Sequence, residues 1–158
     1  MSDFHLLLQE QIPSLLRYAT ALTRDSEQAA DLVEDTVREA LDYQRHCRGD
    51  VRIWLFTLLH DLRGNPFREM TLPAPAPLDP RLLLTLSDLD RAMGQLTEQH
   101  RAVLLLIGLE GLNYAEAAAA LRITVATLRT RLSKARAALR RLMGVADTTR
   151  TTARRAAA

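Results

Sequence analysis

Apolar residues recur at three- and four-residue spacing in two long stretches of the chain. One carries Ala29, Leu32, Val33, Val37, Ala40 and Leu41, and the other carries Val125, Leu128, Leu132, Ala135, Leu139 and Leu142. That period lets a helix bury one stripe and leave the opposite face in water. No strand-like alternation or hairpin signal interrupts it, so the pattern predicts an all-α chain. Asp25-Ser-Glu-Gln28 has the form of a capping box, with Asp25 accepting from the first free amides and Gln28 reaching back, and it opens a helix that runs to about Tyr43. Asp50 caps VRIWLFTLLHDLR, which stops at Gly64-Asn65-Pro66. Upstream, roughly residues 4–22 supply one or two helices, with Pro13 tolerated only near a helix start.

Five of the six prolines, Pro66, Pro73, Pro75, Pro77 and Pro80, fall in NPFREMTLPAPAPLDP. Proline fixes its own φ and pushes the preceding residue out of the helical region, so an extended connector is expected there. The chain then reads as a helical unit over 1–65, a linker over 66–81, a second helical unit over 82–144 and a flexible basic tail over 145–158. In the second unit Thr97 caps a helix to about Leu109, ended by Gly111. Asn113 with Glu116 has capping-box spacing and opens YAEAAAAL; Thr124 opens a last helix that reaches Met143 and stops at Gly144.

Charge changes this picture. Residues 1–121 hold 11 Arg against 18 Asp and Glu, a net −7, whereas residues 122–158 hold ten Arg and Lys against the single acid Asp147, a net +9. The C-terminal part therefore suits a polyanion, and the part before it suits a different contact surface. A helix of about eight residues, a break at Arg122-Ile123-Thr124 and a longer basic helix form the outline of a helix-turn-helix, with Ile123 filling the angle. With the apolar stripe of the last helix turned inward, Thr124, Ala126, Thr127, Arg129, Thr130, Ser133 and Lys134 face out near its start. There such a helix meets base edges and phosphates. Arg122, Arg131, Arg136, Arg140 and Arg141 extend the positive field. The same residues also suit an ordinary helical hairpin with a solvated basic face, and the small residues Ala115 and Ala117 to Ala120 fit either arrangement.

Other chemistry is sparse. The one cysteine, Cys47, allows no internal disulfide and fits a reducing compartment, and the histidines His5, His46, His60 and His100 make no metal spacing with it. No nucleophile–base arrangement, phosphate-cradling glycine loop or cofactor motif is present in the sequence, and no apolar run approaches a membrane span. A cytoplasmic binding protein is expected, without catalytic residues, metal or cofactor.

The stretch LTEQHRAVLLLIGLEGLNYAEAAAALRITVATLRTRLSKARAALRRL resembles the C-terminal promoter-binding domain of bacterial extracytoplasmic-function sigma factors. Their pattern is Leu-Pro-x-x-x-Arg, then Gly-x-(Ser/Asn)-Tyr-x-Glu-Ile-Ala, then Thr-Val-Lys-Ser-Arg-Leu-x-Arg-Ala-Arg. It is matched here by Leu96, Arg101, Gly111, Tyr114, Glu116 and Ala118, and by Thr127 to Leu132, Lys134, Ala135 and Arg136. Asp31-Leu-Val-Glu-Asp-Thr36 and the later Trp54-Leu-Phe56 resemble marks of the N-terminal domain of the same class. The resemblance spans both units. It implies two small helical domains, region 2-like and region 4-like, and three partners: the clamp helices of RNA polymerase core, promoter DNA and an anti-sigma factor. It places polymerase docking on Asp31, Leu32, Glu34, Asp35 and Arg38, and the downstream promoter element on Arg45, Arg48, Arg52, Trp54 and Arg63. For Trp54, core packing is the competing role.

Two positions depart from the family pattern. Arg122 stands where a glycine is usual in the helix-turn-helix bend, and Asp61 stands where the downstream-reading helix usually has an asparagine, with Gly64 ending that helix early. A sigma-fold protein that sequesters an anti-sigma factor without reading DNA, and a plain helix-turn-helix repressor, remain as alternatives.

Overall fold

The computed structural model describes residues 3–64 and 86–144, so the expected linker and tail lie outside the described residues. Three helices make the first half: α1 (Asp3–Thr23), α2 (Ser26–Asp42) and α3 (Val51–Arg63), with a short 3-10 turn at Gln44–His46. Four make the second: α4 (Leu86–Gln95), α5 (Glu98–Gly108), α6 (Tyr114–Leu121) and α7 (Val125–Leu142). The all-α reading holds, with no strand among the described residues.

The caps follow the sequence closely. Asp25 Oδ1 accepts from the Glu27 and Gln28 amides at 2.9 and 3.0 Å, Asp50 accepts from the Arg52 amide at 2.8 Å, and Thr97 accepts from the His100 amide at 3.2 Å. At α6 both halves of the box form, the Asn113 amide donating to Glu116 Oε1 at 3.0 Å and the Glu116 amide to Asn113 Oδ1 at 2.8 Å. The box expected at α2 is incomplete. Gln28 Nε2 turns to the Asp25 carboxylate at 3.4 Å, and the Asp25 amide donates instead to Thr23 Oγ1 at 3.3 Å.

Three further differences have physical causes. Pro13 lies inside one continuous 21-residue helix, not at a start. The interruption costs about 3 kcal/mol in an isolated helix. Here Leu8 on one side and Leu15, Tyr18, Ala19 and Leu22 on the other bury one continuous stripe while Pro13 itself faces water. Val125, expected in the α7 stripe, is 36% exposed, because the first turn projects past the core, and Leu139 is half-buried. Helix α4 is not among the elements expected above, although Leu86, Leu89 and Met93 repeat at three- and four-residue spacing along it.

One core runs through both halves. Leu15, Tyr18, Leu22, Leu55, Phe56 and Leu59 of the first half belong to the same apolar cluster as Val103, Leu106, Ala120 and Leu128 of the second. Arg101, at the arginine position of the sequence pattern, joins them by donating to the carbonyl of Leu22 at 2.9 Å and to those of Met93 and Leu96 at 3.0 and 3.2 Å. It thereby gives a donor to carbonyls at the ends of α1 and α4, where the helical ladder runs out. On α4, Gly94 allows Arg24 to lie against the helix, since a Cβ there would meet Arg24 Nε at 2.9 Å.

Burial sets a pH dependence. Tyr18 is fully buried, which pushes its ionisation far up, so its hydroxyl keeps its proton and bonds His60 Nε2 at 2.8 Å. His60 is depressed from the ordinary 6.5 to about 4, chiefly by burial, with Glu98 and Asp61 opposing. Burial, then Lys134 and Arg131, lowers His100 as well. The unfolded chain therefore binds more protons than the folded one between about pH 6.5 and 4, and stability is full above that window and lost as pH falls through it. Denaturant titrations should show a loss on the order of 3 kcal/mol across the window. Replacing His60 with Gln should flatten most of that slope.

Candidate nucleic-acid interface

The break between α6 and α7 is built as a left-handed residue followed by a cap. Arg122 has φ 54° and ψ 41°, and its amide donates to the Ala119 carbonyl at 3.1 Å. The Ile123 amide returns to the Ala118 carbonyl at 3.0 Å while its half-buried side chain packs on the core. Thr124 then starts α7, accepting from the Thr127 amide at 3.1 Å, with its hydroxyl bonded to Thr127 Oγ1 at 2.9 Å. Leu128, Leu132, Ala135 and Leu142 point inward and fix the rotation of α7.

That rotation exposes Thr124, Ala126, Thr127, Arg129, Thr130, Ser133, Lys134 and Arg136 together on one face, with Arg140 and Arg141 beyond. Arg129 lies over the Tyr114 ring at 5.9 Å, which holds it beside the start of the helix. Thr130 Oγ1 donates to the Ala126 carbonyl at 3.1 Å. Two of the predicted residues are placed differently. Arg131 is half-buried and lines a cleft shared with α3, and Arg122 turns away from the α7 face to bond Asp61 through Nε and Nη2, both at 2.8 Å.

The residues assigned to the downstream element are not gathered into one open surface. Arg45 and Arg48 are exposed before α3. Arg52 Nη2 donates to the backbone carbonyl of Glu110 and to its carboxylate at 3.2 Å, and Arg63 pairs with Glu98 at 2.8 and 3.0 Å. Trp54 is half-buried, edge-on to Phe4 at 6.1 Å. Sequence reasoning missed the acids that hold these arginines, because each lies on the other half of the chain and no local spacing marks the pairing.

The acidic face of α2 has a different setting. Asp31, Glu34 and Asp35 are exposed, and Arg38 is exposed beside them, donating to Glu34 at 2.7 Å and Asp35 at 3.3 Å. Leu32 lies on the buried side at 8% exposure, as its place in the apolar stripe requires, so it supports this face from beneath. The α2 face lies clear of the contacts between the halves. Among the described residues no group of His, Cys, Asp and Glu could hold a metal ion, and no helix is long and apolar enough to cross a membrane.

Comparison with known proteins finds matches over both halves of the chain. A family profile described as sigma-70, region 4 matches residues 86–139, and one described as the sigma2 domain of PhyR matches residues 8–60. The chain is 32% identical over 157 residues to the ECF RNA polymerase sigma factor SigL of Mycobacterium tuberculosis, covering 85% of each chain. It is 28% identical over 151 residues to the ECF RNA polymerase sigma factor EcfG of Rhodopseudomonas palustris, covering 85% of this chain and 81% of the relative. Among solved structures it resembles the sigma factor RpoE of Bartonella quintana in complex with the anti-sigma factor NepR. That match has a TM-score of 0.73 at 28% identity, covering 92% of this chain and 99% of the other.

The exposed α7 face should divide by effect when the full chain is titrated with a duplex DNA library at several salt concentrations. Lys134→Ala should weaken binding to all sequences alike and lower the salt slope by about one unit at most. Arg129→Ala should change the preferred sequence, at about 1 to 3 kcal/mol for a lost base contact. Uniform weakening by both would reduce the helix to a non-specific basic surface.

Proposed function

The chain belongs to the extracytoplasmic-function RNA polymerase sigma factors, and on that premise we propose how its two halves divide the work. Residues 1–65 dock on the clamp helices of polymerase core through Asp31, Glu34, Asp35 and Arg38, and residues 82–144 read the upstream promoter element through the exposed face of α7. Arg45, Arg48, Arg52, Trp54 and Arg63 meet the melted downstream element. Unstacked bases suit cations set near aromatic rings, and the exposed Arg45 and Arg48 before α3 are the members of this set that are free to meet them. The chain acts as a binding subunit and not as an enzyme, and it works in the cytoplasm, where polymerase and chromosome are. The complex of RpoE with NepR supports an anti-sigma factor as a further partner.

The observation that carries this reading is the pairing of a helix-turn-helix whose recognition face is exposed with an acidic α2 face that the rest of the fold leaves open. The acidic face repels DNA and attracts a basic protein surface, while α7 does the reverse. A second reading, a sigma-fold protein that binds an anti-sigma factor without reading DNA, draws on Asp61, an acid on the helix that would face the melted strand.

Purified polymerase core with this chain and genomic promoter fragments distinguishes the two. Promoter-specific transcripts are expected, and their absence beside intact core binding would favour the second reading. Reversing Glu34 and Asp35 to Lys together should weaken core binding about tenfold at moderate salt, roughly 1.4 kcal/mol. The fold should stay intact, since both side chains are in water.

A further inference from the structure

We propose that the cleft between α3 and the helices α5 to α7 binds a small organic monoanion, a flat apolar body carrying one carboxylate, which Arg131 grips. The site is distinct from the exposed face of α7 and from the acidic face of α2. It does not depend on what either face binds.

The cleft has a volume of about 460 Å³, within the roughly 300–1,000 Å³ usual for small-molecule sites. Apolar lining comes from Ala102 and Ala120, which are buried, and from Leu121 and Ile123, which are half-buried. A flat apolar body leaves water by resting there.

The charges around the cleft leave one cation over. Arg63, Arg122 and Arg131 line it against Asp61 and Glu98, and His60 adds no charge near neutral pH because burial lowers it to about 4. Arg63 grips Glu98 through Nε and Nη2 at 2.8 and 3.0 Å, and Arg122 grips Asp61 through the same two atoms at 2.8 Å each. Both carboxylates are therefore already taken by guanidinium forks. Arg131 is half-buried and has no hydrogen bond or ion pair among the described residues. His100, next to Gln99 in the chain, is lowered by burial and then by Lys134 and Arg131, which fits a positive corner that the two acids do not cancel.

A cation held partly out of water without a counter-ion is unfavourable, and one carboxylate in the cleft removes that penalty. The planar guanidinium takes a carboxylate through two parallel N–H bonds, which fixes the head of the ligand. Gln99 lines the same cleft, half-buried, with its carboxamide unbonded among the described residues, and it supplies a further donor. The single excess cation also sets the ligand's charge. A phosphate monoester, nearly dianionic at neutral pH, would bring a second charge up to Asp61 and Glu98 with no cation left to answer it.

The probe is cinnamate, with cinnamamide as its uncharged counterpart and acetate as the head without the body. Each is titrated into the full chain without DNA or polymerase, and binding is followed by backbone amide chemical shifts and by the melting midpoint. Cinnamate should bind saturably, about tenfold or more tighter than either control, shift the amides of Gln99, Ile123 and Arg131, and raise the midpoint. Arg131→Gln should weaken cinnamate about tenfold and leave cinnamamide unchanged. Arg141→Gln makes the same charge change at an exposed position of α7 outside the cleft and should alter neither. The shift map of the wild-type chain stands even if a variant fails to fold. Non-saturable binding, shifts spread over the basic face of α7, or equal losses in the two variants would overturn the proposal.

Discussion

A carboxylate with no exposed surface has to be paired, and Glu110 is paired entirely by the other half of the chain. Arg17 donates to it at 3.2 and 3.0 Å and Arg52 at 3.2 Å, from α1 and α3 respectively. Such a buried carboxylate is costly to leave unpaired, so the loop between α5 and α6 is fixed against the first half. Arg101 ties the same faces from the opposite direction through the Leu22 carbonyl. The shared core of Tyr18, Phe56, Val103 and Leu106 fills the space between these ties.

This constraint decides which surfaces are open. The second half covers part of α3 and leaves the acidic α2 face and the outer face of α7 in water. The guanidinium groups of Arg52 and Arg63 are already held by Glu110 and Glu98, so any further ligand for them has to compete with a carboxylate.

Local features were legible in the sequence. The caps at Asp25, Asp50, Thr97, Asn113 and Thr124, the break at Arg122 and the exposed set on α7 all follow from spacing that a helix enforces over three or four residues. The acidic face of α2 follows from the same period. Pro13 was misplaced because the packing that overrides its penalty comes from partners elsewhere in the chain. The contacts of Glu110 with Arg17 and Arg52 span 93 and 58 residues, and no periodicity encodes a pairing at that distance. The departures at Asp61 and Arg122 were visible one at a time; that they answer each other is visible only in three dimensions.

Glu110 holds the two halves of the free chain as one body through Arg17 and Arg52. Spin labels at Gln9→Cys on α1 and Ala137→Cys on α7, in a Cys47→Ser background, report the separation of the halves by pulsed electron resonance. The chain with Glu110 should give one narrow distance, and Glu110→Ala should broaden it toward longer values. A distribution that stays equally narrow in Glu110→Ala would show that the carboxylate does not hold the halves.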